Sequence, residues 1–133
     1  VLARHEHGYE LDPTRQQQLL TFLGELGDPR APEVIVPLLE DHDETVRFTS
    51  IEALFRLASE ESEPISREPL LKLLVDEEEE SRRLKNRIAE GLFETTWSVR
   101  GYRGSVERTL AELGGDYVVD GKGKLRSKKK GRS

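Results

Sequence analysis

The residues able to carry chemistry are unevenly spread along the chain. Three histidines occur, and His5-Glu6-His7 sets two imidazoles near Glu10 and Asp12. A spacing of two aims both rings the same way on a strand rather than on a helix, and no third histidine lies close in sequence to complete a zinc-type ligand set. His42 stands apart in an acidic turn. The chain has no cysteine, which excludes thiolate nucleophiles, disulfides and cysteine-bound metal centres. It also lacks a Gly-x-Ser-x-Gly elbow and a phosphate-binding loop. Its many carboxylates fall on helix faces and turns, with no acid, base or nucleophile set beside them. The expectation is therefore no catalytic residue, no metal, no cofactor and no enzymatic activity. Recognition through charge is what remains.

That charge is asymmetric. The net of −5 divides into 14 Lys and Arg against 25 Asp and Glu over residues 1–117, which is −11, and seven against Asp120 alone over 118–133, which is +6. The body should repel phosphates and the tail should attract acids. Hydrophobic and charged residues each make up 35%, with only 6% aromatic, a balance suited to thin helical layers that each bury a stripe. No apolar run approaches the roughly 20 residues that span a bilayer, and no signal peptide is evident, so the cytoplasm is the expected compartment. A chain that opens on Val1 and contains no methionine reads as a piece of a longer protein.

The elements that must position these charges are helices. Residues 1–11 read as a connector or frayed helix. Asp12-Pro13 then starts a helix that carries Leu19, Leu20, Phe22, Leu23 and Leu26 to Gly27. Asp28-Pro29-Arg30-Ala31-Pro32 opens a second, ending near Glu40. Asp43 caps a third, in which Val46, Ser50, Ala53, Leu54 and Leu57 share one face and Phe48, Ile51, Phe55 and Ala58 another. Only Thr45, Thr49, Glu52 and Arg56 are left for water, so this helix must be flanked on two sides. Ser59–Ser66, with Pro64, reads as a break before a short helix holding Leu70, Leu71, Leu73, Leu74 and Val75. Glu77–Glu80 reads as a solvated acidic turn, and Leu84, Ile88, Ala89, Leu92 and Phe93 mark a fifth helix.

The pattern repeats. Ile51–Phe55 falls on Ala89–Phe93 at an offset of 38, Asp41 on Asp76 at 35, and Leu54 on Leu23 at 31, so the second acidic turn carries three extra residues. Periods of this length with two helices each are a solenoid signature. The stretch Leu23–Ala58, with its Leu-Gly-Glu-Leu-Gly-Asp-Pro-Arg junction, the Asp41 turn and Val46-Arg47, resembles the HEAT repeat in the short-period form of bacterial phycobilin-lyase-like proteins. The resemblance runs from about Gln16 to Thr96. It implies an all-α, HEAT-like α-solenoid of antiparallel helix pairs over residues 12–96. Leu84-Lys85 stands where Val46-Arg47 stands one repeat earlier, a mild departure from the pattern. After Trp97 the pattern changes: a helix over Arg103–Leu113, then Tyr117–Val119 and Lys124–Arg126 around the turn Asp120-Gly121-Lys122-Gly123, predict a helix and a small C-terminal β-hairpin cap over 97–126. Residues 127–133 read as a basic disordered tail.

In such a stack the second helix of each pair lines the concave side. The resemblance then aligns Gln18, Thr21 and Glu25 with Thr49, Glu52 and Arg56 and with Arg87, Glu90 and Glu94 as a protein-binding ridge. Arg56 and Arg87 are the expected ion-pairing contacts, and Asp41 and Arg47 are expected to pair structurally. The competing reading is nucleic-acid binding through Arg100, Arg103, Arg108, Lys122, Lys124, Arg126, Lys128, Lys129 and Lys130, laid out as helix plus wing, while the same basic tail could instead grip an acidic protein or the chain's own acidic turn at Glu77–Glu80. Aromatic platforms for bases are few. Trp97 and Tyr102 read as core. Phycobilin-lyase-like and DNA-glycosylase-like activities are known in HEAT-type folds, but nothing here singles out a site for either. The expected role is a bacterial cytoplasmic scaffold or adaptor for another protein, with self-association open to its N-terminal end and no membrane contact.

Overall fold

The computed structural model describes Gln18, which is helical and exposed, and residues 30–128. The first element with described bounds is a short helix, α1 (Ala31–Ile35), with Pro32 in its first turn. It runs directly into a 3-10 segment, Val36–Glu40. Pro37 lacks the amide hydrogen that an α-turn would need there, which favours the tighter winding. Helix α2 (Glu44–Arg56) is capped as the sequence predicts: Asp43 Oδ1 accepts from the amides of Thr45 at 2.8 Å and Val46 at 3.3 Å.

Helix α3 spans Glu63–Leu74, so it begins seven residues before Leu70, inside what the sequence marks as a break. Pro64 sits in the first turn, where its fixed φ suits helix entry. Ser59 and Ser62 close the preceding turn reciprocally, each amide donating to the other's hydroxyl at 2.9 and 3.0 Å. Pro69 lies within the helix and denies Ile65 its i+4 donor without ending it. Helix α4 (Arg82–Thr95) is capped by the Ser81 hydroxyl, which accepts from the Leu84 amide at 3.1 Å.

These elements form two layers. The α1/3-10 unit packs on α3, and α2 packs on α4, with each pair also crossing to its partner layer. The buried seam consists of Ile35, Val46, Ile51, Leu54, Leu70, Leu71, Leu74, Leu84, Ile88 and Leu92. Ser50 and Ser66 are fully buried polar residues beside that seam, and the Ser50 hydroxyl donates to the Val46 carbonyl at 2.7 Å. Helix α2 is covered on both apolar faces, as its composition requires.

The C-terminal region closes one end. Helix α5 (Arg103–Glu112) packs on α3. A hairpin of β1 (Tyr117–Val119) and β2 (Leu125–Ser127) follows, in the register Tyr117 to Ser127, Val118 to Arg126 and Val119 to Leu125. Strand β1 lies on α5 and β2 on α4. Gly123, at φ +82, donates no side chain but offers its carbonyl to the Val99 amide at 2.8 Å, which ties the turn to the post-α4 segment. Trp97 is buried against Phe55, ring centroids 6.0 Å apart. Tyr102 is half-buried and donates its hydroxyl to Glu68 at 2.8 Å.

The acidic turns explain the repeat offset. Asp41 Oδ1 accepts the Asp43 amide at 2.9 Å, and one repeat later Asp76 Oδ1 accepts the Glu78 amide at 2.9 Å. The Arg47 guanidinium donates to the carbonyls of Asp41 and His42 at 2.9 and 3.0 Å, and Lys85 Nζ donates to the Asp76 carbonyl at 2.9 Å. The pairing expected of Asp41 and Arg47 thus runs through the backbone, not the carboxylate, and Lys85 reproduces it. The Arg47 charge is met instead by Glu79, in the three-residue insertion: Nε lies 2.8 Å from Oε1 and Nη2 donates to Oε2 at 3.0 Å. Glu79 is not solvated, its side chain being 6% exposed.

Two outcomes follow from this packing. A Cβ on Gly91 would overlap the Phe55 ring, which also packs against Trp97. Alanine gains about 1 kcal/mol in helix propensity but overpacks the site by about 1–3 kcal/mol, so Gly91→Ala should lower the melting temperature, and in a Phe55→Leu background the same change should be neutral or stabilising. Arg47→Ala strands the buried Glu79 carboxylate and should cost about 3 kcal/mol in denaturant unfolding, part of which Arg47→Ala/Glu79→Gln should recover.

Candidate functional site

Helices α2 and α4 lie side by side and run in the same direction. Glu44 near the start of α2 meets Ser81 and Arg83 at the start of α4, and Phe55 near the end of α2 meets Gly91 and Trp97. Along this seam α4 supplies two arginines one turn apart, and each engages one glutamate and one phenylalanine of α2. Arg83 donates to both oxygens of Glu44 at 3.2 Å and lies 3.9 Å above the Phe48 ring. Arg87 lies 3.7 Å from Glu52 and 5.5 Å from the Phe55 ring centroid. A guanidinium over an aromatic face is attracted by the ring quadrupole while its edge remains open to carboxylates.

The Arg83 guanidinium is the main reason the Glu44 carboxyl is held below its ordinary value, with Ser81 adding to it and partial burial opposing. Arg83 is correspondingly held above its own, chiefly by the Glu44 hydrogen bonds.

Arg87 has two further carboxylate neighbours on its own helix, Glu90 at 3.6 Å and Glu94 at 4.0 Å. Its side chain is 22% exposed, whereas those of Glu52, Glu90 and Glu94 are 45, 52 and 57% exposed. The ridge therefore turns carboxylates to solvent and keeps its arginine beneath them. Thr49 is half-buried and Arg56 exposed in the last turn of α2. Thr21 and Glu25 lie outside the described residues, as do Lys129 and Lys130, so Gln18 is the one member of the first row that can be placed, on an exposed helix position. Among the predicted ridge residues the structure joins Glu52, Arg87, Glu90 and Glu94 directly. Glu44, Phe48 and Arg83 belong to the same surface and were not singled out from the sequence. The available signal was that Arg83 lies four residues before Arg87, on the same helix stripe.

The basic residues are less free than their number implies. Arg103 donates to Glu107 at 3.1 Å and to the Val119 carbonyl at 3.4 Å. Arg108 comes within 4.0 Å of Glu77, both well exposed. Arg126 donates to Asp120 at 2.7 Å. Arg100 and Lys122 are exposed on turns, and Lys128, also exposed, donates its amide to the Asp116 carbonyl at 2.9 Å. Lys124 is half-buried and lines a groove of about 540 Å³ with Glu60, Glu63, Trp97 and Ser98. No group of metal-ligating side chains occurs among the described residues; His42 is exposed, and His5 and His7 lie outside them. Among the described residues no helix is long and apolar enough to cross a membrane.

A family described as HEAT repeats matches residues 10–90. No curated protein and no solved structure matches the chain.

Asp120 offers a direct check on the hairpin. Its carboxylate accepts the Lys124 and Lys122 amides at 3.0 and 2.8 Å as well as Arg126, and these donors, Lys124 first, lower its pKa to about 2. A carboxyl depressed by folding contributes stability that is complete above its ordinary 3.8 and is lost as pH falls toward about 2. An NMR titration of the Asp120 carboxyl carbon in the folded protein should show a midpoint near that lower value, and Arg126→Ala should raise it. A midpoint at the ordinary value would mean that these bonds are not made.

Proposed function

The chain belongs to the HEAT-repeat family, and on that premise we infer that it is a non-enzymatic scaffold or adaptor of the cytoplasm that binds another protein through the concave ridge of α2 and α4. The observation carrying this reading is the solvent-facing row Glu52, Glu90 and Glu94, held over Arg87 by two helices that share a close-packed apolar seam. Such a surface loses little conformational freedom on binding, since the helices are already fixed and the carboxylates are oriented by a common cation. Charged rows of this kind set association rate and partner choice more than raw affinity. A partner with complementary basic groups is the chemistry that fits.

The full-length protein, immobilised and exposed to nuclease-treated lysate, should retain a defined protein partner. Glu90→Lys/Glu94→Lys should release that partner, with at least a tenfold loss in binding, about 1.4 kcal/mol. Retention of the same partner by the variant would move the binding surface off the ridge. Recovery of nucleic acid in untreated lysate, lost at high salt and lost in Lys122→Glu/Lys124→Glu, would instead favour the basic hairpin and tail.

A further inference from the structure

The ridge and the start of the basic tail lie at the same edge of the molecule. Tyr117 opens β1 and pairs with Ser127, the last residue of β2. The Tyr117 ring packs on Phe93 of α4, with centroids 5.3 Å apart, and Glu90 lies three residues before Phe93 and Glu94 directly after it. The Tyr117 phenol is raised by burial first, and then by the negative charges of Glu90, Asp116 and Glu94 around it. Lys128 is anchored beside it through the Asp116 carbonyl. The chain therefore leaves the hairpin next to the C-terminal end of the ridge.

The charges match. Glu52, Glu90 and Glu94 surround the guanidinium of Arg87, three carboxylates about one cation; Arg56, one turn past Glu52, brings the described ridge residues to a net of −1, and Asp116 adds a further exposed carboxylate beside Tyr117. The sequence from Lys128 onward is Lys-Lys-Lys-Gly-Arg, four cations without an acid among them. Four residues in extended form reach about 13 Å, which exceeds one helix turn and the roughly 8–10 Å between packed helix axes. Since the Tyr117 ring already lies against Phe93 of α4, a reach of that size is enough to come alongside α4 and toward its neighbour α2.

Resting on the reading of the ridge as the binding surface, we propose that the ridge formed by Glu52, Glu90 and Glu94 takes a Lys/Arg-rich extended segment, and that this segment is the chain's own Lys128–Arg132. The tail then competes with any partner for the same carboxylates, and a partner must carry basic groups of its own to displace it. A tethered segment this close to its site acts at an effective concentration in the millimolar range, so even a weak tail–ridge contact is occupied. Ion pairing of this exposed kind is screened over about 10 Å at 0.1 M salt, which makes the occlusion salt-dependent.

The test uses the full chain and a fluorescent peptide with the sequence of residues 127–133. In Lys128→Gln/Lys129→Gln/Lys130→Gln/Arg132→Gln the ridge is vacated, and this variant should bind the peptide at least about fivefold more tightly than the wild-type protein does. The gain should vanish in Glu90→Gln/Glu94→Gln added to the same background, with the near-ultraviolet signal of Trp97 unchanged as a check on folding. Carbodiimide coupling of the wild-type protein should join a tail lysine to Glu90 or Glu94 within one molecule. Equal peptide affinity for wild-type and neutralised protein, or coupling of the tail only to Glu77, Glu78 or Glu80, would overturn the proposal. So would the absence of peptide binding to the neutralised variant. If partner capture still depended on Glu90 and Glu94 in that case, the ridge would stand as a binding surface and only the tail would be removed as its occupant.

Discussion

The contact between Phe55 and Gly91 sets the spacing on which the rest depends. A side chain of any kind on residue 91 would occupy the volume of the Phe55 ring, so the missing Cβ lets α2 and α4 approach until the ring is enclosed by the helix and Trp97. That approach brings Glu52 within ion-pair range of Arg87 at one level of the seam and Glu44, two turns earlier on α2, within range of Arg83, one turn earlier on α4. It also puts both guanidinium groups over phenylalanine rings. Surface ion pairs by themselves contribute only about 0–1 kcal/mol each. Their alignment here is a consequence of the apolar packing, and their role is to orient the carboxylates that the surface presents.

The acidic turns act one level further out. Both repeats use an aspartate to close the turn onto its own backbone and a cation in the next helix to collect the freed carbonyls, Arg47 in one and Lys85 in the other. A lysine suffices where a single carbonyl is the acceptor. Arg47 has two carbonyls and a carboxylate to satisfy, which needs the fork of a guanidinium. The three-residue insertion lengthens the second turn enough to return Glu79 to Arg47, so the departure from strict repetition ties one repeat to the next.

The hairpin is too small to stand alone in water. It is held because Leu125 is buried, the Gly123 carbonyl receives the Val99 amide, and Tyr117 packs on Phe93. Those same attachments fix where the chain emerges beyond Lys128. The cap therefore does two things with one set of contacts: it covers one end of the described helices, and it holds Lys128 on the Asp116 carbonyl, next to the Tyr117 ring that packs on α4.

The sequence by itself determined what depends on local chemistry and on period. The Asp43 cap, the two faces of α2, the buried stripe of α4, the hairpin around Asp120-Gly121-Lys122-Gly123 and the repeat offset are all visible there, because capping, amphipathic spacing and turn residues act within a few positions. The start of α3 was not: Pro64 and Ser66 read as punctuation until the reciprocal Ser59–Ser62 turn and burial of Ser66 against neighbouring helices draw them into the helix. Only the tertiary structure decided which groups meet across 30 or more residues. The helical period places Glu52, Glu90 and Glu94 on water-facing stripes, but it cannot say that Arg87 lies beneath them, that Arg83 extends the surface over Phe48, or that Glu79 rather than Asp41 carries the countercharge of Arg47. Those outcomes depend on the distance between helices, and that distance is set by the volume of side chains packed between them.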